Sequence, residues 1–243
     1  MARDCHLSYN WQMKSERDLA LSVLRAVDWL KGYPPELAES LLVEGHLVRL
    51  NAGEWAQAEG DDRSGLFVVI DGVLHSYCAA PGDREVMIGL AEAGAVLGHA
   101  TRFSGGPRLV TAVCVEPSVL LEISESALDR VAERRPEIWR AIAGFAYANM
   151  RSAVRMAAEV ISLRPRERIA ARLLAAASRY HQSTPTEAPV IRLSQELLGE
   201  MIGVTRKTVN VHLSAFERGG LIQVGYGRIT IYDMERLRSV ANE

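Results

Sequence analysis

The sequence has few cysteines and no long apolar run. Its three cysteines, Cys5, Cys78 and Cys114, are odd in number and far apart, so they offer no disulfide framework and suit a reducing compartment. No stretch reaches the roughly 20 apolar residues that a membrane-spanning helix needs. The first residues, MARDCHLSYNWQMKSERD, lack the apolar segment of a signal peptide. We therefore expect a cytoplasmic protein with no membrane partner.

Sequence motifs of common enzymes are also missing. The chain has no Gly-rich phosphate loop, no HExxH, no CxxC pair and no nucleophile elbow. The adjacent carboxylates of Asp61 and Asp62 fall in a predicted turn, where solvation explains them. We predict that the protein is not an enzyme. No cofactor and no metal site is assigned, and an unidentified small-molecule effector is left open.

The charge is divided unevenly along the 243 residues. Residues 151–243 carry 14 Lys and Arg against 9 Asp and Glu, a balance of +5, whereas residues 1–150 carry 14 against 21, a balance of −7. A localised basic region of this kind favours one phosphate-binding face over general affinity for polyanions.

The basic part contains the most informative stretch, residues 193–233. Ser194 is a candidate N-cap of a first helix and Thr205 of a second helix, with Gly203 in the short turn between them. The spacing of Val209, Leu213 and Phe216 gives the second helix one buried face. LIQV, GYG and RITIY then predict a β-hairpin with a glycine-bearing turn. This order is that of a winged helix-turn-helix.

The exposed side of the second helix carries groups that read DNA. Arg206 can contact guanine bidentately, Asn210 can contact adenine, and Lys207 suits phosphate or guanine. We predict double-stranded DNA as a partner; the alternative is that these are solvated polar residues of an ordinary surface helix. The predicted DNA-binding residues are Ser194, Gln195, Thr205, Arg206, Lys207, Asn210, Ser214 and Arg228.

Residues 46–123 show short alternating segments separated by glycine, proline and aspartate, including HLVRL, GLFVVI, REVMIGL and SVLLEI. Repeated short strands with turn signals predict a small antiparallel barrel or roll. FVVIDGVLHSY predicts a hairpin around Asp71-Gly72, because Asp-Gly is a strong two-residue turn signal.

A long helical segment follows, interrupted near Arg135-Pro136. Its second part has apolar residues at spacings of three and four, and the lone polar Asn149 among them would fix register in a two-stranded coiled coil. This pattern favours a homodimer; the alternative is one amphipathic helix packed on its own domain. The seam would comprise Trp139, Ile142, Ala146, Asn149, Ala153, Met156, Val160 and Leu163.

The predicted fold class is α+β, with an N-terminal antiparallel β-roll, a long dimerisation helix and a C-terminal winged helix-turn-helix. We place an N-terminal extension with a helix at residues 1–34, the effector-domain roll at 35–125, the helices at 126–163 and the DNA-binding domain at 164–243. Pro165 interrupts the long helix before the last domain.

This order resembles the Crp/Fnr family of bacterial transcription regulators, from about residue 40 to residue 235, and most strongly at LSQELLGEMIGVTRKTVNVHLSAFERGGLI. The resemblance implies a homodimer on a palindromic DNA site, an effector pocket in a cyclic-nucleotide-binding-like roll against the long helix, and contact with RNA polymerase. Lys207 and Val211 stand where the family often has Glu and Arg, so its half-site preference does not transfer.

The segment VLGHATRFSGGPRLVTAV departs further from the cyclic-nucleotide-binding pattern. Gly98 and Phe103 match the pattern, and Arg108 falls where the phosphate-binding arginine would be. His99 replaces the glutamate that holds the ribose hydroxyl, and Leu109 replaces a hydroxyl residue. The resemblance places Asn149, Ala153 and Val154 near this pocket, with no hydroxyl side chain at 153 or 154. Each lost hydrogen bond costs on the order of 1 kcal/mol, so the expected effector is not cAMP.

Other modes of control remain as alternatives. Arg108 could be a surface arginine in a turn, and the protein could be a constitutive, ligand-independent regulator. Three cysteines cannot supply an all-thiolate iron–sulfur site. A haem-based gas or redox sensor would use His75, Cys78 or His99, although strand residues of this kind more often pack than ligate.

Overall fold

The computed structural model describes residues 15–62, 65–82, 84–99, 105–183 and 188–242. The chain divides into two compact units, Met1–Asn149 and Met150–Glu243. In the first unit a helix over residues 15–26 (α1) and the helix Pro35–Glu44 (α2) precede the strands. Cys5 lies outside the described residues.

The strands of the first unit form two four-stranded antiparallel sheets. One sheet has the order β1-β8-β3-β6 and the other has the order β2-β7-β4-β5. This is the antiparallel roll that the alternating segments predict. The strands are β1 His46–Leu50, β2 Trp55–Gln57, β3 Gly65–Asp71, β4 Leu74–Ala80, β5 Arg84–Ala91, β6 Val96–Leu97, β7 Thr111–Cys114 and β8 Ser118–Ser124.

The predicted hairpin at Asp71-Gly72 is wrong. The chain does turn there, with Gly72 at φ +95°, but β3 pairs with β8 and β6 while β4 pairs with β5 and β7. The turn therefore carries the chain from one sheet to the other. Gly72 lies against Ser118, since a Cβ at position 72 would be 2.2 Å from the Ser118 hydroxyl, and this long-range contact is invisible in the local pattern.

The first unit has two buried clusters, one among the strands of the two sheets and a larger one between one sheet and a layer of helices. α1 and α2 contribute Leu24, Leu37 and Leu41, which pack with Leu121 of β8. The helices Glu125–Arg134 (α3) and Glu137–Ser162 (α4) follow, with the interruption at Arg135-Pro136 that the sequence predicts. The first turns of α4 bury Ile138, Ala141 and Ile142 in the same core.

Part of the predicted seam on α4 is wrong for this reason. Ile142 is 2% exposed and packs within its own unit, so it is not available to a second helix. Further along, α4 carries an exposed apolar stripe at spacings of three and four residues, which comprises Tyr147, Met150, Val154, Ala157 and Ile161. This stripe is rotated around the helix relative to the predicted seam.

The second unit contains the end of α4 and the predicted helix-turn-helix and hairpin. Val209, Leu213 and Phe216 are buried, as their spacing predicts. A three-stranded sheet has the order β10-β11-β9. The elements are α5 Pro165–Ser183, β9 Val190–Ile191, α6 Gln195–Ile202, α7 Arg206–Arg218, β10 Ile222–Gly225, β11 Arg228–Ile231 and α8 Met234–Ala241.

Polar contacts bridge the turn between α4 and α5. Arg172 and Glu159 form an ion pair whose two side chains are both largely buried. The carboxylate of Glu167 accepts a hydrogen bond from the Arg164 backbone N–H at 2.9 Å, which helps cap α5. The end of α4 is therefore fastened to α5 within the second unit.

Candidate nucleic-acid interface and ligand site

The two helices of the helix-turn-helix begin at the residues that the sequence predicts. The Ser194 hydroxyl accepts from the Leu197 N–H at 3.2 Å, and the Thr205 hydroxyl accepts from the Thr208 N–H at 3.2 Å. Each hydroxyl satisfies a backbone donor that would otherwise lack a partner in the first helical turn. Gln195, the first residue of α6, is partly exposed.

The turn between α6 and α7 depends on two glycines for different reasons. Gly203 ends α6 with φ +69° and has open space around it. Gly199, inside α6, is buried: a Cβ there would be 2.7 Å from the Val204 carbonyl and 3.5 Å from a Val209 methyl. The close approach of α6 to the start of α7 therefore requires glycine at 199, which sequence reasoning missed.

The polar side chains of α7 lie on its exposed face, opposite the buried residues. Arg206, Lys207, Asn210 and Ser214 are all exposed. Among the described residues, Arg206 and Lys207 have no carboxylate within ion-pair distance. Both cations lie in the first turn, where the helix dipole adds positive potential. This end of α7 is therefore suited to a phosphate or to a base acceptor.

The hairpin of β10 and β11 presents a second exposed group. Arg228 begins β11 and is exposed, and it pairs with Gly225 across the turn. Tyr226 at the tip is fully exposed, and Gly227 follows with φ +65°. Glu217 of α7 accepts from the Val224 N–H at 2.8 Å, which holds the hairpin against the end of α7.

A second cluster surrounds Arg108 in the first unit. Arg108 is 4% exposed, so it is not the surface arginine of the alternative interpretation. Its Nη1 donates to Gln57 Oε1 at 2.9 Å and lies 3.3 Å from the Gly65 carbonyl. The guanidinium also lies over the ring of Phe67, 5.8 Å from the centroid. Its Nε is buried and has no hydrogen-bond partner in the described part of the chain.

Gly98 passes directly against this guanidinium. Gly98 has φ +82°, and a Cβ there would be 1.7 Å from Arg108 Nη1 and 2.5 Å from the Gly65 carbonyl. Burial lowers the pKa of Arg108, whereas the charges of Asp61 and Glu122 act in the opposite direction. In the described part of the chain, no carboxylate forms an ion pair with Arg108.

His99 joins this cluster to α4. Its ring packs edge-on against Phe145, with centroids 5.0 Å apart, and its Nε2 lies 3.4 Å from Asn149 Nδ2. Its Nδ1 is buried without a partner among the described residues. Burial, and then the charge of Arg108, lower the pKa of His99. The structure thus brings Gly98, His99, Arg108 and Asn149 together.

The other predicted pocket residues are placed differently. Leu109 is 65% exposed, and Ala153 and Val154 are exposed positions of α4 in the second unit. A role for these three in ligand binding stays a prediction. Phe103 lies outside the described residues.

The histidine and cysteine considered as haem ligands lie on β4. His75 is buried, with Nδ1 3.3 Å from the Tyr77 hydroxyl, and burial lowers its pKa. Burial and the charge of Glu59 raise the pKa of the half-buried Cys78. The pairing of β4 with β5 has an irregularity between Ser76 and Tyr77, in the segment that separates His75 from Cys78.

Sequence reasoning missed Gln57, Phe67 and Phe145 as members of the Arg108 cluster. They come from β2, β3 and α4, and Gln57 is 51 residues from Arg108. Long-range pairing of strands and packing of α4 bring them together, and no local spacing could have indicated them.

Two known protein-domain families match the two units of the chain. Residues 47–135 match the cyclic nucleotide-binding domain and residues 167–240 match the Crp-like helix-turn-helix domain. The chain belongs to the Crp/Fnr family of transcription regulators. Both the predicted family and the predicted fold class are confirmed.

Individual Crp/Fnr relatives match over most of their length. The CRP-like cAMP-activated global transcriptional regulator of Mycobacterium tuberculosis (strain CDC 1551 / Oshkosh) is 26% identical over 88% of this chain and 96% of its own. FixK2 from Bradyrhizobium japonicum has a similar fold, with a TM-score of 0.69 at 20% identity, over 81% of this chain and 96% of that one.

A third Crp/Fnr comparison is with the c-di-GMP responsive regulator CLP of Xanthomonas campestris. It superposes with a TM-score of 0.65 at 22% identity, over 82% of this chain and 99% of that one.

Among the described residues, no helix has the length and apolar content to cross a membrane.

Proposed function

We propose that the protein is a cytoplasmic, sequence-specific regulator that binds a palindromic DNA site as a homodimer and contacts RNA polymerase. The observation that carries the proposal is the exposed N-terminal end of α7, where Arg206, Lys207 and Asn210 share one face and form no ion pair with any described residue. Membership of the family supports the RNA polymerase contact and the cytoplasmic location. The charge balance of +5 in residues 151–243 supports DNA binding by this part of the chain.

In this proposal the N-terminal end of α7 enters the major groove. Arg206 reads guanine through its two parallel donors, and Asn210 reads adenine through its amide. Lys207, Arg228 and the hydroxyls of Ser194, Thr205 and Ser214 contact the backbone, together with Gln195. These contacts fix orientation and carry most of the salt dependence. Two copies, held one helical turn of DNA apart, read an inverted repeat.

The Arg108 cluster is the proposed effector site, and its effector is not cAMP. Arg108 supplies a buried cation for an acidic group. His99 replaces a carboxylate that would accept from a ribose hydroxyl, and the exposed Leu109 offers no hydroxyl. His99 contacts Asn149 and Phe145 of α4, so a ligand that changes His99 would also change its contacts with this helix.

Selection from a random pool of duplex DNA tests the DNA-binding role. The wild-type protein should enrich an inverted repeat with half-sites about 10 base pairs apart. Arg206→Ala and Asn210→Ala should each weaken binding to the selected site by roughly 10- to 100-fold, because a good bidentate contact discriminates by about 1–3 kcal/mol. Binding to unrelated DNA should change much less.

Arg218→Ala provides a matched control. Arg218 is exposed at the other end of the same helix, where its Nε donates to the Ser214 carbonyl at 3.3 Å. Removing the Arg218 side chain should leave the DNA sequence that the protein selects unchanged. If Arg206→Ala and Asn210→Ala enrich the same sequence with unchanged affinity, α7 is not the recognition helix.

A further inference from the structure

The guanidinium of Arg108 is a buried cation, and no carboxylate of the described residues forms an ion pair with it. Gln57 and Gly65 offer it neutral oxygens only, and its Nε has no hydrogen-bond partner among the residues that the structure describes. Asp61 and Glu122 act on Arg108 through their charges, but neither forms an ion pair with it. A buried charge is costly unless it is paired, so the site favours an anionic ligand.

His99 contributes a second donor to the same cluster, since it follows Gly98, which lies against the Arg108 guanidinium. With Nε2 accepting from the Asn149 amide, the proton of the neutral ring lies on Nδ1. That Nδ1 is buried and has no partner in the described part of the chain. The ring therefore has an unsatisfied N–H donor in the same cluster as Arg108, whose charge acts on it.

We propose that Arg108 and His99 together bind a small dianion, of the phosphomonoester class, and that His99 takes up a proton when the dianion binds. This inference rests on the proposed effector site and names its ligand class. A phosphodiester has one negative charge, which Arg108 alone balances. A phosphomonoester has a second charge, which protonated His99 balances.

The direction of the proton uptake follows from the charges around His99. Arg108 is the ionisable group whose charge acts on His99, and it lowers the pKa of the histidine. Asp61 and Glu122 act on Arg108, whereas Phe145 and Asn149 of α4 are uncharged. A bound dianion would outweigh Arg108 and raise the pKa of His99. Affinity for the dianion should therefore increase as pH falls toward the raised pKa.

Protonation would also change what His99 presents to α4. In the neutral ring Nε2 accepts from the Asn149 amide, but in the protonated ring both nitrogens are donors. The contact persists only if Asn149 turns its side chain to present Oδ1. Binding of the dianion would thus reverse a hydrogen bond to α4, and binding of a monoanion would not.

The experiment compares methyl phosphate with dimethyl phosphate, a pair that differs by one charge on the same acidic group. Both are titrated at about pH 7.5, where a phosphomonoester is mostly dianionic, into the full-length protein with ¹⁵N-labelled histidine. We expect methyl phosphate to bind at least roughly tenfold more tightly than dimethyl phosphate. The nitrogen shifts of His99 should show a pKa that rises above the pH of the titration in the methyl phosphate complex, so that the ring is mostly protonated there.

Variants separate the two donors. His99→Gln should remove the preference for methyl phosphate while leaving weak binding of both compounds, and His99→Glu should abolish binding of methyl phosphate. Arg108→Lys keeps a cation in the site and should retain the order of affinities. His75→Gln is the matched control, because His75 is also a buried histidine of the roll with a lowered pKa, and it should change neither affinity.

Equal affinities of the wild-type protein for the two compounds would overturn the inference, as would no binding of either at tens of millimolar. Bound methyl phosphate with a neutral His99 would overturn it as well. None of these results affects the DNA selection, so a failure of this inference is distinguishable from a failure of the proposed DNA-binding function.

Discussion

Glycine at position 98 sets the geometry of the Arg108 cluster. Its φ of +82° is a conformation that only glycine adopts without strain, and a Cβ would lie 1.7 Å from Arg108 Nη1. We expect Gly98→Ala to lower the free energy of unfolding by roughly 2–5 kcal/mol, because backbone strain adds to a steric overlap. Urea denaturation of the purified variant measures the loss.

Gly53→Ala is the control for the backbone contribution alone. Gly53 has a similar φ of +86°, but a Cβ added there would have no atom within 4 Å, so the loss of stability should be about 1 kcal/mol. If the two variants lose equal amounts of unfolding free energy, Arg108 and Gly65 move to accommodate the new methyl group. The cluster would then not depend on glycine at 98.

At the scale of single residues, the sequence predicted the cluster only in part. Gly98, His99 and Arg108 come from one segment that resembles a family pattern, and they do lie together. Gln57 could not be predicted, because a glutamine in a three-residue strand has no periodic signal and meets Arg108 through strand pairing 51 residues away.

At the scale of elements, the cap of α7 can be tested directly. The Thr205 hydroxyl accepts from the Thr208 N–H at 3.2 Å. Thr205→Ala should cost about 1 kcal/mol of stability in the second unit, since an N-cap is lost, and should weaken DNA binding as the first turn of α7 frays. Thermal unfolding followed by circular dichroism, together with fluorescence anisotropy on labelled DNA, measures both effects.

Thr205→Ser keeps a capping hydroxyl and is the matched variant. It should restore the stability and most of the DNA affinity. If serine and alanine at 205 behave alike, the hydroxyl does not stabilise α7, and the capping contact has no energetic role.

Elements with local signals were predicted well, and those that depend on partners were not. Ser194 and Thr205 begin their helices as predicted, because a cap acts within three residues. The turn at Asp71-Gly72 exists, but its strands join different sheets, since a turn signal does not specify which strands pair. Ile142 fits a heptad pattern, yet it packs in its own unit, because periodicity defines a face and not its partner.

At the scale of the whole molecule, the exposed stripe on α4 tests the proposed homodimer. Met150, in the middle of the stripe, is 57% exposed. Met150→Asp would place an unpaired charge in an apolar helix interface, at a cost of about 3 kcal/mol or more. The dissociation constant of the dimer should increase by roughly 100-fold. Sedimentation velocity should show a mass that moves from two chains toward the 26.7 kDa of one chain.

Ser152→Asp is the control for the added charge. Ser152 is exposed on the same helix but lies off the apolar stripe, so this variant should sediment as the wild type does. A wild-type protein that sediments as one chain at micromolar concentration, or a Met150→Asp variant that remains paired, would contradict a dimer through this face.

The buried pair of Arg172 and Glu159 limits where the polypeptide could be cut. The turn before Pro165 is the obvious place to excise a DNA-binding fragment. A fragment that begins there would keep Arg172 in α5 and discard its carboxylate partner on α4. An orphaned buried charge costs about 3–5 kcal/mol, a large share of the stability of a small domain. We therefore expect a fragment that includes the last turns of α4 to be more stable than one that begins at Pro165.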